Sequence, residues 1–306
     1  MNPINHFALE LGHLVKDFDH KRAVDGVSLQ MKQGEILGLL GPNGSGKTTT
    51  MRMIMNIIAP DSGTIKILGE NFSERLKEKI GYLPEERGLY RKMKVSEILE
   101  FFGALKGMKA AEIKARGKVL LEKFDLQHYY DKKVEELSKG MAQKLQFIIT
   151  IIHSPDLLIL DEPFSGLDPL NIELVKDIIL EKKKEGVSII FSTHLMDYAE
   201  KIVDAVVMID QGKKVLHGSL SDVKAGFGAK FVKVNYEGDS SFVSALDYVK
   251  HVRDYGNEME IELTDINLKD RLLKELVFRV SVNGFQVTEA SLNHIFIRKV
   301  TGGAPK

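Results

Sequence analysis

A glycine-rich loop directly after an apolar run restricts the folds that this chain can adopt. Ile36–Leu40 is apolar, and Gly41–Thr48 follows it at once. This order predicts a buried strand, a tight loop and a helix, whose backbone N–H groups and positive end form an anion-binding concavity. The glycines allow the backbone to curve tightly and approach a phosphate closely. The candidate nucleotide-binding residues of this segment are Gly41, Pro42, Asn43, Gly44, Ser45, Gly46, Lys47, Thr48 and Thr49.

Two side chains at the end of the loop have distinct expected roles. Lys47 is expected to neutralise the β and γ oxygens of a triphosphate, and the Thr48 hydroxyl to take one coordination position of Mg²⁺. The alternative is a chance glycine-rich turn, and the apolar strand before the loop argues against it. The sequence therefore predicts that the chain binds a nucleoside triphosphate together with Mg²⁺.

Length and composition limit the class of protein. The 306 residues allow about two domains, and 43% of them are hydrophobic, enough for a sizeable core. The 43 basic and 43 acidic residues sum to zero charge, so no overall field draws the chain to nucleic acid or anionic lipid. Absence of cysteine excludes disulfides and thiolate metal sites. We find no secretory signal and no run of about 20 apolar residues, and therefore expect a soluble, cytoplasmic protein.

Strand-like and helix-like segments alternate through residues 1–220, interrupted by a helical block at about 85–153. The apolar runs Leu157–Leu160 and Val187–Ser192, with helical patterns between and after them, predict a parallel sheet covered by helices. The helical block predicts a subdomain, in which Ser96 is expected to cap a helix at Glu97–Leu105. The predicted fold class is therefore α/β, with residues 1–220 forming a P-loop nucleotide-binding domain.

The pattern changes after about residue 220. Alternation predicts strands, leucines at helical spacing predict a helix, and a weakly helical stretch lies between the first two strands. The expected strands are Lys230–Tyr236, Val249–Arg253, Glu258–Leu263 and Phe285–Thr288, with helical segments at Ser240–Asp247 and around Leu268–Leu276. This βαββαβ order predicts a small ferredoxin-like α+β domain over residues 221–306, in which we find no chemical motif.

Polar residues follow two of the predicted buried strands. Asp161 and Glu162 end the run at Leu157–Leu160, and His194 follows the next strand. Because the carboxyl ends of parallel strands meet at one edge of a sheet, these residues are expected beside the phosphate loop. Asp161 would hold Mg²⁺, Glu162 would polarise the attacking water, and His194 would donate a hydrogen bond to the γ-phosphate. Each is alone a weak signal, since a strand can simply end in polar residues.

Together with these residues, four further segments resemble motifs of the ATP-binding cassette (ABC) ATPases. Leu137–Met141 is similar to the signature motif and Ser165–Asp168 to the D-loop. Gly81–Glu85 resembles the Q-loop, and Val15–Phe18 the adenine-stacking A-loop. His194 is similar to the switch histidine. The resemblance covers about residues 7–220 with every motif in order, and it implies an ABC-type fold with a helical subdomain.

The resemblance implies a mechanism shared between two subunits. The loop of Lys47 would hold ATP in one subunit, while Ser138 and Gly140 of the second subunit would cap its γ-phosphate, so that ATP joins the two and hydrolysis releases them. Either a homodimer or a heterodimer satisfies this arrangement. Phe18 would stack on adenine, unless it is only a core residue of an amphipathic strand.

Two motifs depart from the family's pattern, at three positions in all. Lys139 stands at the third signature position, where glycine is usual, and Met141 replaces the final glutamine. Ser138 and Gly140, which would touch phosphate, are retained. Glu85 replaces the Q-loop glutamine; its carboxylate can still coordinate Mg²⁺, but it has no amide N–H to offer to water.

The expected task is to hydrolyse ATP and drive a separate integral membrane transport subunit, at the inner face of the cell membrane. The C-terminal segment resembles the small domain of exporter ATPases, including the sodium-extrusion group. Apolar contact with the membrane subunit is expected from residues that could equally pack within the subdomain: Gly88, Leu89, Tyr90 and Met93. The alternatives are a soluble ABC ATPase acting on nucleic acid or ribosomes, and a regulator that no longer hydrolyses ATP. A single cassette, no heptad arm and no net positive charge argue against nucleic acid as a partner.

Overall fold

The structure is a computed structural model that describes residues 7–301 except residues 20, 87 and 229. Its contacts divide the chain into two compact units, with the boundary between Leu220 and Ser221. Each unit has its own hydrophobic core. No helix in the described part of the chain is long and apolar enough to cross a membrane.

The first unit consists of two sheets and a set of helices. Its strands are β1 (Phe7–Phe18), β2 (Lys21–Lys32), β3 (Ile36–Leu40), β4 (Ser62–Ile67), β5 (Glu70–Asn71), β6 (Ile80–Leu83), β7 (Leu157–Asp161), β8 (Ser188–Thr193), β9 (Ala205–Asp210) and β10 (Lys213–Ser219). Its helices are α1 (Lys47–Ile54), α2 (Leu76–Lys79), α3 (Val95–Leu105), α4 (Ala110–Lys123), α5 (Lys139–Ile151), α6 (Pro169–Lys184) and α7 (Met196–Ala199).

The central sheet has the order β10-β9-β3-β8-β7-β6, and every pairing except that of β10 with β9 is parallel. Strands β3, β7 and β8 are buried throughout, as their apolar sequences predict. The register pairs Leu40 with Thr193 and Asp161 with Ser192. The loop after β3 therefore lies beside the ends of β8 and β7, and the predicted parallel sheet is confirmed.

An antiparallel sheet of order β2-β1-β4-β5 forms the other layer. Its buried side chains share one core with β3, β7 and α1, and this core includes Leu9, Val27, Met51 and Ile159. Burial of these apolar side chains is the main force that holds the layers together. Strand β1 ends at Phe18, which brings that residue to the rim of the nucleotide loop's cavity.

The helical block begins differently from the sequence-based expectation. Ser96 is not an N-cap: α3 begins at Val95, and Glu97 accepts a 2.8 Å hydrogen bond from the backbone N–H of Lys94. The backbone N–H of Ser96 is bonded to the carbonyl of Tyr130 at 2.9 Å. A tertiary contact therefore fixes the start of this helix, and the local capping signal at Ser96 is overridden.

The second unit has a four-stranded antiparallel sheet of order β12-β13-β11-β14. Its elements are β11 (Lys230–Glu237), β12 (Val249–Asp254), β13 (Glu258–Leu263), β14 (Ser281–Glu289), α9 (Lys269–Arg279) and α10 (Leu292–Thr301), preceded by α8 (Leu220–Phe227), which begins at the last residue of the first unit. The segment expected to be helical between β11 and β12 is only a short 3₁₀ helix, Ser241–Ala245. The predicted βαββαβ order is otherwise confirmed. One face of the sheet packs on α9 through Val232, Ile261 and Leu272.

Candidate nucleotide-binding site

Lys47 is the central charge of the site and is almost fully buried, with 5% of its side chain exposed. Its ammonium donates hydrogen bonds to the carbonyl oxygens of Gly41 (2.9 Å) and Pro42 (3.2 Å), and it lies 3.5 Å from Oε1 of Glu162. The loop thus wraps around the lysine and fixes the position of a positive charge. Such a fixed, partly desolvated cation is suited to binding an anion.

The loop leaves no room for side chains where it turns into α1. Gly46 precedes the helix at φ 110°, and a Cβ atom there would lie 2.4 Å from the carbonyl oxygen of Ala23. A Cβ on Gly41 would lie 2.1 Å from the carbonyl oxygen of Ile209. Helix α1 has no side-chain cap and no acidic residue in its first turn. Its first N–H groups and its dipole are therefore available to an anion.

Three oxygen donors meet around the Thr48 hydroxyl. It lies 3.2 Å from Oδ1 of Asp161 and 3.4 Å from Oε2 of Glu85. These residues come from α1, the end of β7 and the loop after β6, which the parallel sheet brings together. The structure therefore unites the three residues that the sequence analysis selected as metal ligands.

This donor set has the chemistry that Mg²⁺ requires. Two carboxylates and a hydroxyl are hard oxygen ligands, and Oδ2 of Asp161 is buried without a hydrogen-bond partner. Burial raises the pKa of Asp161, as does repulsion from Glu85 and Glu162, while hydrogen bonds from Ser192 and Thr48 lower it. A bound cation would satisfy the unpaired oxygen and favour the ionised carboxylate, so the residues fit a magnesium ion.

Glu162 is buried in a polar network at the end of β7. Its Oε1 lies 3.1 Å from Nδ1 of His194, and its Oε2 accepts a 3.2 Å hydrogen bond from the Thr193 hydroxyl. Its backbone is left-handed, at φ 49°, which costs about 1–2 kcal/mol for a residue with a Cβ. A hydrogen bond from its N–H to Ser192 Oγ, 2.9 Å long, helps to hold this conformation. The carboxylate is therefore fixed in direction, as a general base requires.

A cavity of about 330 Å³ opens next to these residues. It is lined by the phosphate loop, by Glu85 and Glu162, and by Phe18. Phe18 is 46% exposed, so the alternative that it is a core residue is wrong. The Lys16 ammonium lies 5.5 Å from the centre of the Phe18 ring, and the exposed part of the ring can stack on a planar base at the mouth of the cavity.

The signature residues do not line this cavity. Ser138 is the N-cap of α5, and its hydroxyl accepts a 3.2 Å hydrogen bond from the N–H of Met141. Ser138 and Lys139 are exposed, and a Cβ on Gly140 would meet no atom within 4 Å. Nothing within the described chain explains why position 140 would need a glycine. This surface can therefore receive a ligand or a second protein.

Three residues that organise the site are not among those predicted from the sequence. Ser192 and Thr193 orient the two carboxylates at the end of β7, and Gln143 of α5 bonds to the loop after Glu162. The polar pair before His194 was a signal for the first two, because it ends an otherwise apolar strand. No local pattern pointed to Gln143.

A second cavity, here called the groove, lies between β6 and the helical block and has a volume of about 340 Å³. Its lining is mostly apolar and is formed by Met55, Tyr82, Pro84, Glu86, Gly88, Leu89, Phe102, Lys106, Gln146, Ile149, Thr150 and His153. Burial lowers the pKa of His153 to about 4, with repulsion from Lys106 in addition. Tyr90 is 54% exposed and makes an edge-to-face contact with Phe101.

Comparison with known proteins identifies the family. The profile described as ABC transporter matches residues 24–165. The ABC transporter ATP-binding protein YhaQ of Bacillus subtilis is 40% identical over 292 residues, which cover 95% of this chain and 98% of YhaQ. The chain belongs to the ABC transporter ATP-binding proteins. This confirms the resemblance drawn from the motifs, and proteins of this family bind ATP and hydrolyse it in transporters, where they generally dimerise and pair with membrane subunits.

Three further matches refine the position of this ABC ATP-binding protein. The Nod factor export ATP-binding protein I of Paraburkholderia xenovorans is 38% identical over 217 residues, covering 70% of this chain and 71% of that protein. A solved ATP-binding subunit of an ABC transporter has a TM-score of 0.68 at 32% identity, covering 72% of this chain and 93% of that one. Residues 218–300 match the profile described as ATP-binding protein DrrA1-3-like, C-terminal domain. The predicted fold class is thereby confirmed.

Proposed function

We propose that this chain is the ATP-hydrolysing subunit of an ABC exporter, which drives a separate membrane subunit through ATP-dependent dimerisation. The observation that carries the proposal is a cavity lined by Lys47 and Glu162, with Asp161 and His194 in contact with the residues that line it and with Ser138 outside its lining. In a shared ATP site, one subunit supplies the base, the phosphate-binding cation and the metal ligands. The residues that cap the γ-phosphate come from the other subunit.

The residues of this chain then have separate tasks. Phe18 stacks on adenine, and the residues from Gly41 to Thr49 surround the phosphates. The Lys47 ammonium donates two hydrogen bonds to loop carbonyl oxygens, and its positive charge attracts the phosphate oxygens. Glu162 accepts a proton from the attacking water, and His194, through the ring nitrogen that Glu162 does not occupy, hydrogen-bonds the γ-phosphate.

Thr48, Asp161 and Glu85 would hold Mg²⁺, which would neutralise negative charge on the phosphates. Glu85 is a carboxylate where the family has an amide, so this site carries one more negative charge. That charge strengthens binding of a divalent ion and repels a triphosphate that arrives without one.

The second half of each ATP site comes from another subunit in this proposal. The hydroxyl of Ser138, the backbone of Gly140 and the positive end of α5 would contact the γ-phosphate bound to the partner. Helix α5 is 13 residues long and has no acidic residue in its first turn, which suits this role. A homodimer is sufficient, because a twofold axis makes both sites from the same two surfaces.

The groove supports a membrane partner. Its lining is largely apolar, and an exposed aromatic cluster of Tyr90 and Phe101 lies beside it in sequence and space. A helix from a membrane subunit could bury its apolar face there. The direction of transport rests on the relative named for Nod factor export. The chain would therefore work in the cytoplasm, at the inner face of the membrane.

The proposal is tested by expressing the full chain with and without a candidate multi-span membrane protein encoded beside it. We expect Mg²⁺-dependent phosphate release from ATP. We also expect the membrane protein to co-purify when this chain is isolated through an affinity tag of its own. Failure to hydrolyse ATP in both samples contradicts the enzymatic part. Turnover without any co-purification contradicts the transport part.

Replacing Glu85 with glutamine is expected to weaken divalent-metal binding about tenfold, because one anionic ligand becomes neutral. Binding of Mn²⁺ in the presence of ADP, followed by electron paramagnetic resonance, measures this directly. Glu86→Gln is the matched control, since Glu86 lines the groove instead of the nucleotide cavity. Equal Mn²⁺ affinity in wild type and Glu85→Gln would remove Glu85 from the metal site.

Replacing Tyr90 with alanine is expected to reduce co-purification of the membrane subunit about tenfold while ATP binding stays unchanged. Exposed aromatic side chains contribute strongly to protein interfaces. Tyr255→Ala, which removes a similarly exposed tyrosine from the second unit, is the control. Full retention of the membrane subunit by Tyr90→Ala would show that docking does not use this cluster.

A further inference from the structure

Gln143 links two elements that the proposed mechanism uses at different ATP sites. It lies on α5 and is 7% exposed. Its amide Nε2 donates to the carbonyl oxygens of Ser165 (2.8 Å) and Pro163 (3.2 Å), so both of its protons are used. The two carbonyls belong to the loop that follows Glu162, 20 and 22 positions away from Gln143 in sequence.

The loop held by Gln143 sets the position of Glu162. The N–H of Ser165 bonds back to the carbonyl of Glu162 at 3.1 Å, which closes a tight turn. Glu162 itself has the left-handed backbone described above, a conformation that persists only when its surroundings fix it. On one side Ser192 holds its N–H, and on the other Gln143 holds the two carbonyls that follow it.

The other end of the link is the start of α5. Ser138 caps this helix, and the carbonyl of Ser138 accepts the first helical bond, from Ala142 at 2.9 Å. Gln143 is the next residue, so little more than one helical turn separates it from the cap. Because an α-helix is stiff over one turn, a displacement of Ser138 moves the Gln143 amide with it.

We propose that Gln143 is a positioning residue that couples the signature segment at Ser138 to the general base Glu162. The inference rests on the proposed function, in which Ser138 contacts the ATP of the partner and Glu162 acts on the ATP of its own subunit. When Ser138 contacts the ATP bound to the partner, Gln143 then fixes the loop after Glu162 at the ATP site of its own subunit. Gln143 itself touches neither nucleotide, and it acts by holding the two carbonyls.

The inference is tested with the full-length chain carrying Gln143→Met, which keeps the length of the side chain and removes both donors. We expect the kcat for ATP hydrolysis to fall about tenfold or more, because a small displacement of a catalytic group has effects of that size. Binding of a fluorescent ATP analogue is expected to stay within about twofold of wild type, since the phosphate loop is untouched. Gln143→Lys is expected to restore most of the kcat, as Lys47 already donates to two carbonyls in the same unit.

Lys144→Met is the matched control, because Lys144 is the next residue of α5 and donates to the carbonyl of Phe124 at 3.1 Å, away from Glu162. A fall in kcat that Lys144→Met reproduces would overturn the inference, as would an unchanged kcat in Gln143→Met. If the methionine variant does not fold, Gln143→Glu, which keeps the shape and loses the donor, is measured in the same way. ATP-dependent dimerisation of Glu162→Gln with Gln143 intact tests the proposed function separately, so the two failures are distinguishable.

Discussion

Glu162→Gln is expected to lower the rate of ATP hydrolysis about a thousandfold while ATP remains bound. Glutamine has nearly the same shape, so it keeps the side chain near Lys47 and His194, but it cannot accept a proton from water. ATP then stays in the site and continues to join two copies of the chain. We therefore expect an ATP-dependent shift from monomer to dimer in light scattering, together with loss of phosphate release.

Glu185→Gln provides the control for this substitution. Glu185 is an exposed carboxylate that pairs with Lys182 at 2.7 Å at the end of α6. Its variant should hydrolyse ATP as the wild type does and should form no trapped dimer. Normal turnover by Glu162→Gln would remove Glu162 from the role of general base. Loss of turnover without dimer formation would be consistent with Glu162 as the general base but would contradict an ATP site shared between two copies.

Lys47→Met is expected to weaken ATP binding about a hundredfold, which corresponds to about 2.7 kcal/mol. The substitution removes the only charge that the loop itself directs at phosphate, and it takes the Lys47 donor away from the carbonyls of Gly41 and Pro42. It also leaves Glu162 without its cationic neighbour, so the negative charge of the site increases. Isothermal titration with ATP and Mg²⁺ measures the change.

Lys214→Met is the corresponding control, because Lys214 also donates to a backbone carbonyl, that of Ser28 at 2.6 Å, but on an exposed strand. Its ATP affinity is expected to equal that of wild type. An unchanged affinity in Lys47→Met would show that backbone N–H groups alone hold the phosphates, and the assignment of Lys47 would be wrong.

The convergence of the candidate site was predictable because parallel strands align their carboxyl ends. The apolar run that forms β3 is followed by the glycine-rich loop, and those that form β7 and β8 are followed by polar residues. The parallel sheet therefore brings Lys47, Asp161 and His194 together. The local sequence does not predict the hairpin of β9 and β10, in which Gln211 and Gly212 form the turn between an apolar run and a more polar one. Its pairing depends on partners far away in sequence, on β3 in particular.

Other features depend on tertiary contacts that no local pattern records. The start of α3 is set by a backbone bond between Ser96 and Tyr130, and capping rules therefore gave the wrong residue. The hydrogen bonds from Gln143 to Pro163 and Ser165 join a helix and a loop that the sequence pattern alone gives no reason to place in contact. Sequence periodicity finds elements, whereas such cross-links appear only when the elements are packed.

The central claim is that Lys47 of one copy and Ser138 of another complete the same ATP site, and mixing two defective chains tests it directly. One chain carries Lys47→Met. The other carries Ser138→Asp. Aspartate is still a suitable N-cap for α5, but its negative charge repels the γ-phosphate. Each variant alone should be inactive, because every site in its homodimer lacks one component.

In an equal mixture, half of the randomly formed dimers contain one chain of each kind, and each of these has one intact site. We expect the mixture to recover about a quarter of wild-type phosphate release. A mixture of Ser138→Asp with the Lys47→Met/Ser138→Asp double variant has no intact site and should stay inactive. If the first mixture is no more active than its separate components, the two residues do not meet across a dimer, and the shared-site account is wrong.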